Sequence, residues 1–97
     1  MAEHASVIRI SHFAPGPGKG HDLKARLNEG LAELRAFEGC FGAQICTLRE
    51  KPDELAVISR WASGAALERY LQQRTASVAT LSDLLVQAPR VEHFDLA

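Results

Sequence analysis

The run FEGCFGAQICTLREKPDELAVISRW, from Phe37 to Trp61, decides how the rest of the chain must fold. It reads as two strands joined by a polar turn at Glu50-Lys51-Pro52-Asp53, residues that favour turns over sheet ladders. On the first strand Phe41, Ala43, Ile45 and Thr47 are expected to share one face, and Gln44, Cys46 and Leu48 the other, because side chains alternate along a strand. On the second, Leu55, Val57, Ser59 and Trp61 oppose Ala56, Ile58 and Arg60.

Outward from this hairpin, both flanks read as helices that need an apolar surface to cover. Upstream, Leu23, Leu27, Leu31, Leu34 and Phe37 recur every three or four residues between His21 and Phe37, which is one stripe of a helix. Gly30 lies inside that stretch, where it costs about 1 kcal/mol against alanine; close packing on the sheet would compensate. Gly39 is placed to end the helix in a left-handed conformation. Downstream, Ser63 is an N-cap for a helix carrying Ala66, Leu67, Tyr70 and Leu71. Val78, Leu81, Leu84 and Leu85 continue the helical spacing after a break near Arg74-Thr75. Ala5 to Phe13 is a β-branched first strand, with Val7, Arg9, Ser11 and Phe13 on one face and Ile8, Ile10 and His12 on the other. The segment Ala14 to Gly20, with two prolines and three glycines, is a turn. Val91 to Leu96 supplies the last strand. The order strand-helix-strand-strand-helix-strand is the ferredoxin-like βαββαβ arrangement, an α+β fold with a four-stranded antiparallel sheet.

Composition narrows the function classes. Ninety-seven residues with 46% hydrophobic and 24% charged side chains suit one globular domain spanning 1–97. A formal net charge of -1 gives no electrostatic case for nucleic acid or an anionic membrane. The start MAEHASVIRI lacks the basic and apolar regions of a signal peptide, and no run approaches the roughly 18 apolar residues of a membrane span. Cys40 and Cys46, six residues apart on one strand, are on the order of 20 Å apart when extended, beyond disulfide reach. A soluble cytoplasmic protein with free thiols is expected.

Helices in this topology cover one sheet face, and in a monomer the other should be polar. Here Ile8, Ile10, Ala56 and Ile58 make it apolar. An exposed patch of that kind exceeds what monomers usually carry, so a homodimer packed sheet to sheet is expected.

Several motifs point to one family. Ser11-His12-Phe13 leading to Pro17-Gly18-Lys19, then Glu38-Gly39-Cys40, then Ile58-Ser59-Arg60-Trp61-Ala62-Ser63 with Ala66-Leu67, resemble the antibiotic biosynthesis monooxygenase (ABM) domain family over nearly the whole chain. The resemblance implies the dimeric α+β barrel fold. Its members include cofactor-independent oxygenases of aromatic polyketides, haem-degrading proteins and isomerases of small signalling sugars. This chain departs from them at several positions. Tyr70 and Thr75 stand where members often carry His, and Thr80 stands where haem-degrading relatives place their iron-binding His. Ser11 replaces an Asn of several oxygenases, and Ser59 a common Glu.

The implied activity is a cofactor-independent monooxygenase acting on a small phenolic or quinol-type substrate, with no cofactor and no metal. A non-catalytic small-molecule-binding dimer and an isomerase using His12 or Tyr70 are the alternatives. Trp61 matches a position that lines the pocket in oxygenase members, where an indole stacks on aromatic ligands; it could equally plug the core. Arg9 is out of place in an apolar central strand, since a buried guanidinium needs a counter-charge. It would either stabilise a substrate enolate or phenolate, or reach a salt bridge or the sheet edge. Tyr70 would hydrogen-bond a ligand oxygen or pack in the core. Trp61, Arg9 and Tyr70 thus form the expected catalytic set, and Ser11, His12, Phe13 and Thr75 the substrate contacts. His12 and His93 fall on neighbouring strands as general-base or hydrogen-bonded structural residues. No His/Cys/Asp/Glu spacing suits zinc, and no nucleophile or phosphate-loop motif is present.

Overall fold

The computed structural model describes residues 5–74 and 81–96. Its elements are β1 (Val7–Phe13), α1 (Gly20–Ala36), β2 (Cys40–Thr47), β3 (Leu55–Trp61), α2 (Gly64–Gln73) and β4 (Arg90–Asp95). The strands form one antiparallel sheet in the order β2-β3-β1-β4, the expected ferredoxin-like fold. β1 is hydrogen-bonded on both edges, Arg9 lying opposite Ser59 of β3 and His93 of β4.

Local chemistry explains the joints. Ser63 Oγ accepts from the Ala66 amide at 3.1 Å and caps α2, satisfying one orphan donor of the first turn. Gly39 has φ +94, and a Cβ there would sit 2.5 Å from the Ala66 side chain. The corner between α1 and β2 therefore needs glycine both for its backbone and for the close approach of α2. The Pro/Gly turn after β1 is tied down by Gly16 N–H to Leu84 O at 2.9 Å and Val86 N–H to Ala14 O at 3.0 Å. Residues 81–84 form a short 3-10 turn, with Leu81 and Leu84 buried. Val78 and Thr80 lie outside the described residues.

Two expectations are corrected. Cys40 and Gly42 pair with the successive residues Trp61 and Arg60, so Phe41 is the extra residue of a bulge and is exposed rather than aligned with Ala43. Gly30 packs closely on nothing: an added Cβ would meet no atom within 4 Å.

The face of the sheet under the helices carries two apolar clusters of buried residues, bridged by the partly buried Ile45 and Val57. One gathers Val7, Leu31, Leu34, Trp61, Leu67 and Tyr70; the other Phe13, Leu23, Leu55, Leu81 and Leu84. The inner face of β1 runs Val7-Arg9-Ser11-Phe13, so its apolar ends belong to different clusters and its polar middle lies between them.

Candidate functional site

Between the two clusters lies a cavity of about 370 Å³, within the size range of small-molecule sites. Its sheet wall is Arg9, Ser11, Phe13, Val57 and Val91. Helix α1 contributes Leu27, Gly30, Leu31 and Leu34, with the charged Arg26, Glu29 and Glu33. Tyr70 and Arg74 enter from the end of α2, and Leu81 and Pro89 from the segment before β4. The missing side chain at Gly30 leaves one stretch of the α1 wall open.

Arg9 is the cation on the sheet wall. Its Nη1 donates to Ser11 Oγ at 2.8 Å, while its Nε is buried with no hydrogen-bond partner among the described residues. None of the ion pairs among the described residues involves it. Burial lowers its pKa from the ordinary arginine value, the nearby Arg74 guanidinium adds to the effect, and Tyr70 opposes it. Burial likewise raises the Tyr70 phenol, with Arg74 pulling the other way and Glu33 reinforcing the rise. Tyr70 is thus a protonated donor at neutral pH.

Of the expected site residues, Arg9, Ser11, Phe13 and Tyr70 meet on this cavity. Trp61 does not: it is 0% exposed, and its Nε1–H donates to Ser59 Oγ at 2.9 Å. Its ring lies 5.3 Å from that of Tyr70 and 6.2 Å from that of Phe37. A fully enclosed indole cannot touch a ligand, and Trp61 meets the cavity wall by packing against Tyr70. His12 projects from the opposite sheet face, where its Nε2 meets Glu92 Oε1 at 2.8 Å. The alternation of β1 requires this, since Arg9, Ser11 and Phe13 share the other face. Thr75 lies outside the described residues. Arg74 was missed although it follows Tyr70 by four residues, the spacing that puts two side chains on one helix face. Among the described residues no three His, Cys, Asp or Glu side chains converge as a metal site would, and no helix is long and apolar enough to cross a membrane.

Several solved structures share this architecture. Rv0793 of Mycobacterium tuberculosis superposes with a TM-score of 0.86 at 23% identity, covering 96% of each chain. A conserved protein of Methanosarcina mazei Go1 gives 0.88 at 15% identity over 96% of this chain and 94% of its own. PA3566 of Pseudomonas aeruginosa gives 0.79 at 23% identity over 100% and 99%. These likenesses establish the fold alone. No functionally curated protein matches the chain significantly. The sequence profile described as antibiotic biosynthesis monooxygenase matches residues 6–79, a span that takes in β1, α1, both strands of the hairpin, α2 and every polar side chain of the cavity lining, and the chain therefore belongs to the antibiotic biosynthesis monooxygenase family.

Proposed function

We propose that the chain is a cofactor-independent monooxygenase of a small phenolic or quinol-type aromatic substrate bound in the cavity between the two apolar clusters. The observation that carries this reading is the pairing of a largely apolar cavity with a cation on its sheet wall that has no anionic partner among the described residues, in a member of this family. An aromatic ring fits walls made of Phe13, Leu27, Leu31, Val57 and Val91. Deprotonation makes such a substrate electron-rich, and the Arg9 guanidinium favours the phenolate or enolate. Tyr70 donates a hydrogen bond to a second ligand oxygen. The chemistry balances without a redox cofactor. Substrate and dioxygen give a product with one oxygen more and two hydrogens fewer, together with water. A C–O bond replaces a C–H bond, and all four electrons that reduce dioxygen come from the substrate.

A second reading, a non-catalytic binding module, draws support from Trp61 being enclosed behind the cavity wall and from neutral Ser11 at a central wall position. An isomerase of the same fold would have to rely on Tyr70, because His12 faces away from the cavity. Oxygen uptake with a series of anthrones and quinols separates these readings. Consumption above the spontaneous rate that depends on Arg9 and Tyr70 is expected; uptake no faster than without protein, across the series, removes the oxygenase.

We further propose that two copies pack through the sheet face that bears Ile8, Ile10, Ala56 and Ile58. Ile10 lies opposite Ile58, and Ile8 opposite Phe94, which is 46% exposed in the single chain. Covering this strip buries apolar area that one copy leaves wet.

A further inference from the structure

We infer that the cavity selects ligands that carry a carboxylate, with Arg9 and Arg74 as its counter-ions; the inference rests on reading this cavity as the ligand site. Arg9 stands on a strand paired along both edges. Its cross-strand neighbours are Ser59 and His93, neither of them an acid. The Ser59 hydroxyl already accepts from Trp61, and among the described residues the guanidinium's hydrogen-bond partner is the uncharged Ser11 hydroxyl. Arg74 lines the same cavity and also makes no ion pair among the described residues. Glu29 and Glu33 are exposed on α1 and pair with neither arginine. Arg9 and Arg74 therefore face one largely apolar space with no ion-pair partner among the described residues, the lining acids Glu29 and Glu33 included. A partly buried cation without a counter-charge is costly, and a ligand anion supplies what the chain withholds.

The donor set favours a planar carboxylate over a phosphate. Phosphate sites draw on free backbone amides and helix N-termini. Here the β1 backbone is engaged in the sheet, and α2 presents its C-terminal end to the cavity. What remains are side-chain donors, foremost the guanidinium, whose fork matches a carboxylate. Arg74 on the α2 side and Arg9 on the sheet would hold the carboxylate at one end, leaving the ring among the apolar walls.

The test is a matched series titrated under argon, so that binding is read without turnover. It comprises 3-hydroxy-2-naphthoate, its neutral amide, 2-naphthol and 2-naphthyl phosphate, followed by calorimetry and by the emission of the single tryptophan, Trp61. The carboxylate is expected to bind at least about tenfold more tightly than the amide, as a charge-assisted pair implies. That preference should vanish in Arg9→Met and in Ser59→Glu, the second of which sets a carboxylate opposite Arg9 and fills the place of the ligand anion. Equal binding of acid and amide overturns the inference, as does no saturable binding of any member. A preference that survives in either folded variant overturns it too, and tighter binding of the phosphate ester overturns the choice of carboxylate. The outcome is separable from the oxygenase proposal. An acid-over-amide preference without oxygen uptake removes only the oxygenase, and equal turnover of neutral and anionic quinols removes only the carboxylate.

Discussion

Arg9 Nη1 lies 2.8 Å from Ser11 Oγ, so a guanidinium on the central strand is held by a neutral hydroxyl two residues along the same chain. A hydroxyl orients the cation but adds no counter-charge. The polar middle of β1 lies between the two apolar clusters here, and the cavity opens over it. If Arg9 were a structural residue, its removal would weaken the fold; if it is held ready for a ligand, its removal should relieve the unliganded protein.

Arg9→Met is therefore expected to leave the unliganded protein as stable as wild type or more stable by about 1 kcal/mol, since a buried unpaired donor costs on the order of 1–3 kcal/mol and methionine preserves most of the stem packing. Urea unfolding checks this. A loss of more than about 2 kcal/mol, the scale of a broken buried interaction, would assign Arg9 to the fold instead.

Two glycines should respond in opposite directions. Gly39→Ala meets both a positive φ and an atom 2.5 Å away, and should destabilise by roughly 2–4 kcal/mol. Gly30→Ala adds a methyl group into open space within a helix, and should stabilise by about 0.5–1 kcal/mol. Midpoints of denaturant unfolding for both variants settle the pair. Equal changes would mean that the corner at Gly39 opens more readily than its contacts indicate.

The chain has one tyrosine, so phenolate absorbance reports Tyr70 alone. Burial raises its pKa above the ordinary value of 10.0, and the titration midpoint is expected on the alkaline side of that value. In the linkage, the folded phenol holds its proton after the unfolded one has lost it. Stability from Tyr70 is therefore complete below the unfolded pKa and is lost as pH rises through the folded one. Arg74→Gln should move the midpoint further up, because Arg74 opposes the shift. A midpoint at or below the value for free tyrosine would place the phenol in water.

Ile10→Lys puts a charge opposite Ile58, at the centre of the proposed dimer face. Each buried, unpaired lysine costs about 3 kcal/mol or more, and a symmetric interface incurs that cost twice. Analytical ultracentrifugation should show a wild-type dimer and a folded monomeric variant. A wild-type protein that sediments as a monomer at every concentration contradicts the sheet-to-sheet assembly.

The fold was legible because its signals are local and mutually consistent. The leucine stripe of α1, the Ser63 cap and the two-residue alternation of β1 and β3 each specify one element, and together they leave one topology. Arg9 was conspicuous for the same reason, as a charge on an otherwise apolar strand. Long-range packing was not legible. Nothing local to Trp61 shows that Phe37 and Tyr70 enclose it. The face of His12 follows from β1 alternation only once Arg9, Ser11 and Phe13 are known to line the inner side. Arg74 was readable from its spacing to Tyr70, but it is the C-cap of α2, where the helical periodicity that would assign its side chain to a face runs out.

The central claim is that this cavity transfers one atom of dioxygen to an aromatic substrate. Turnover of a hydroxynaphthoate-type quinol under heavy-isotope dioxygen, with mass spectrometry of the product, tests it most directly. One labelled oxygen per product molecule, formed by wild type and at the spontaneous rate in Arg9→Met, is the predicted result. A product that carries no label, or a rate indistinguishable from that without protein, would contradict it.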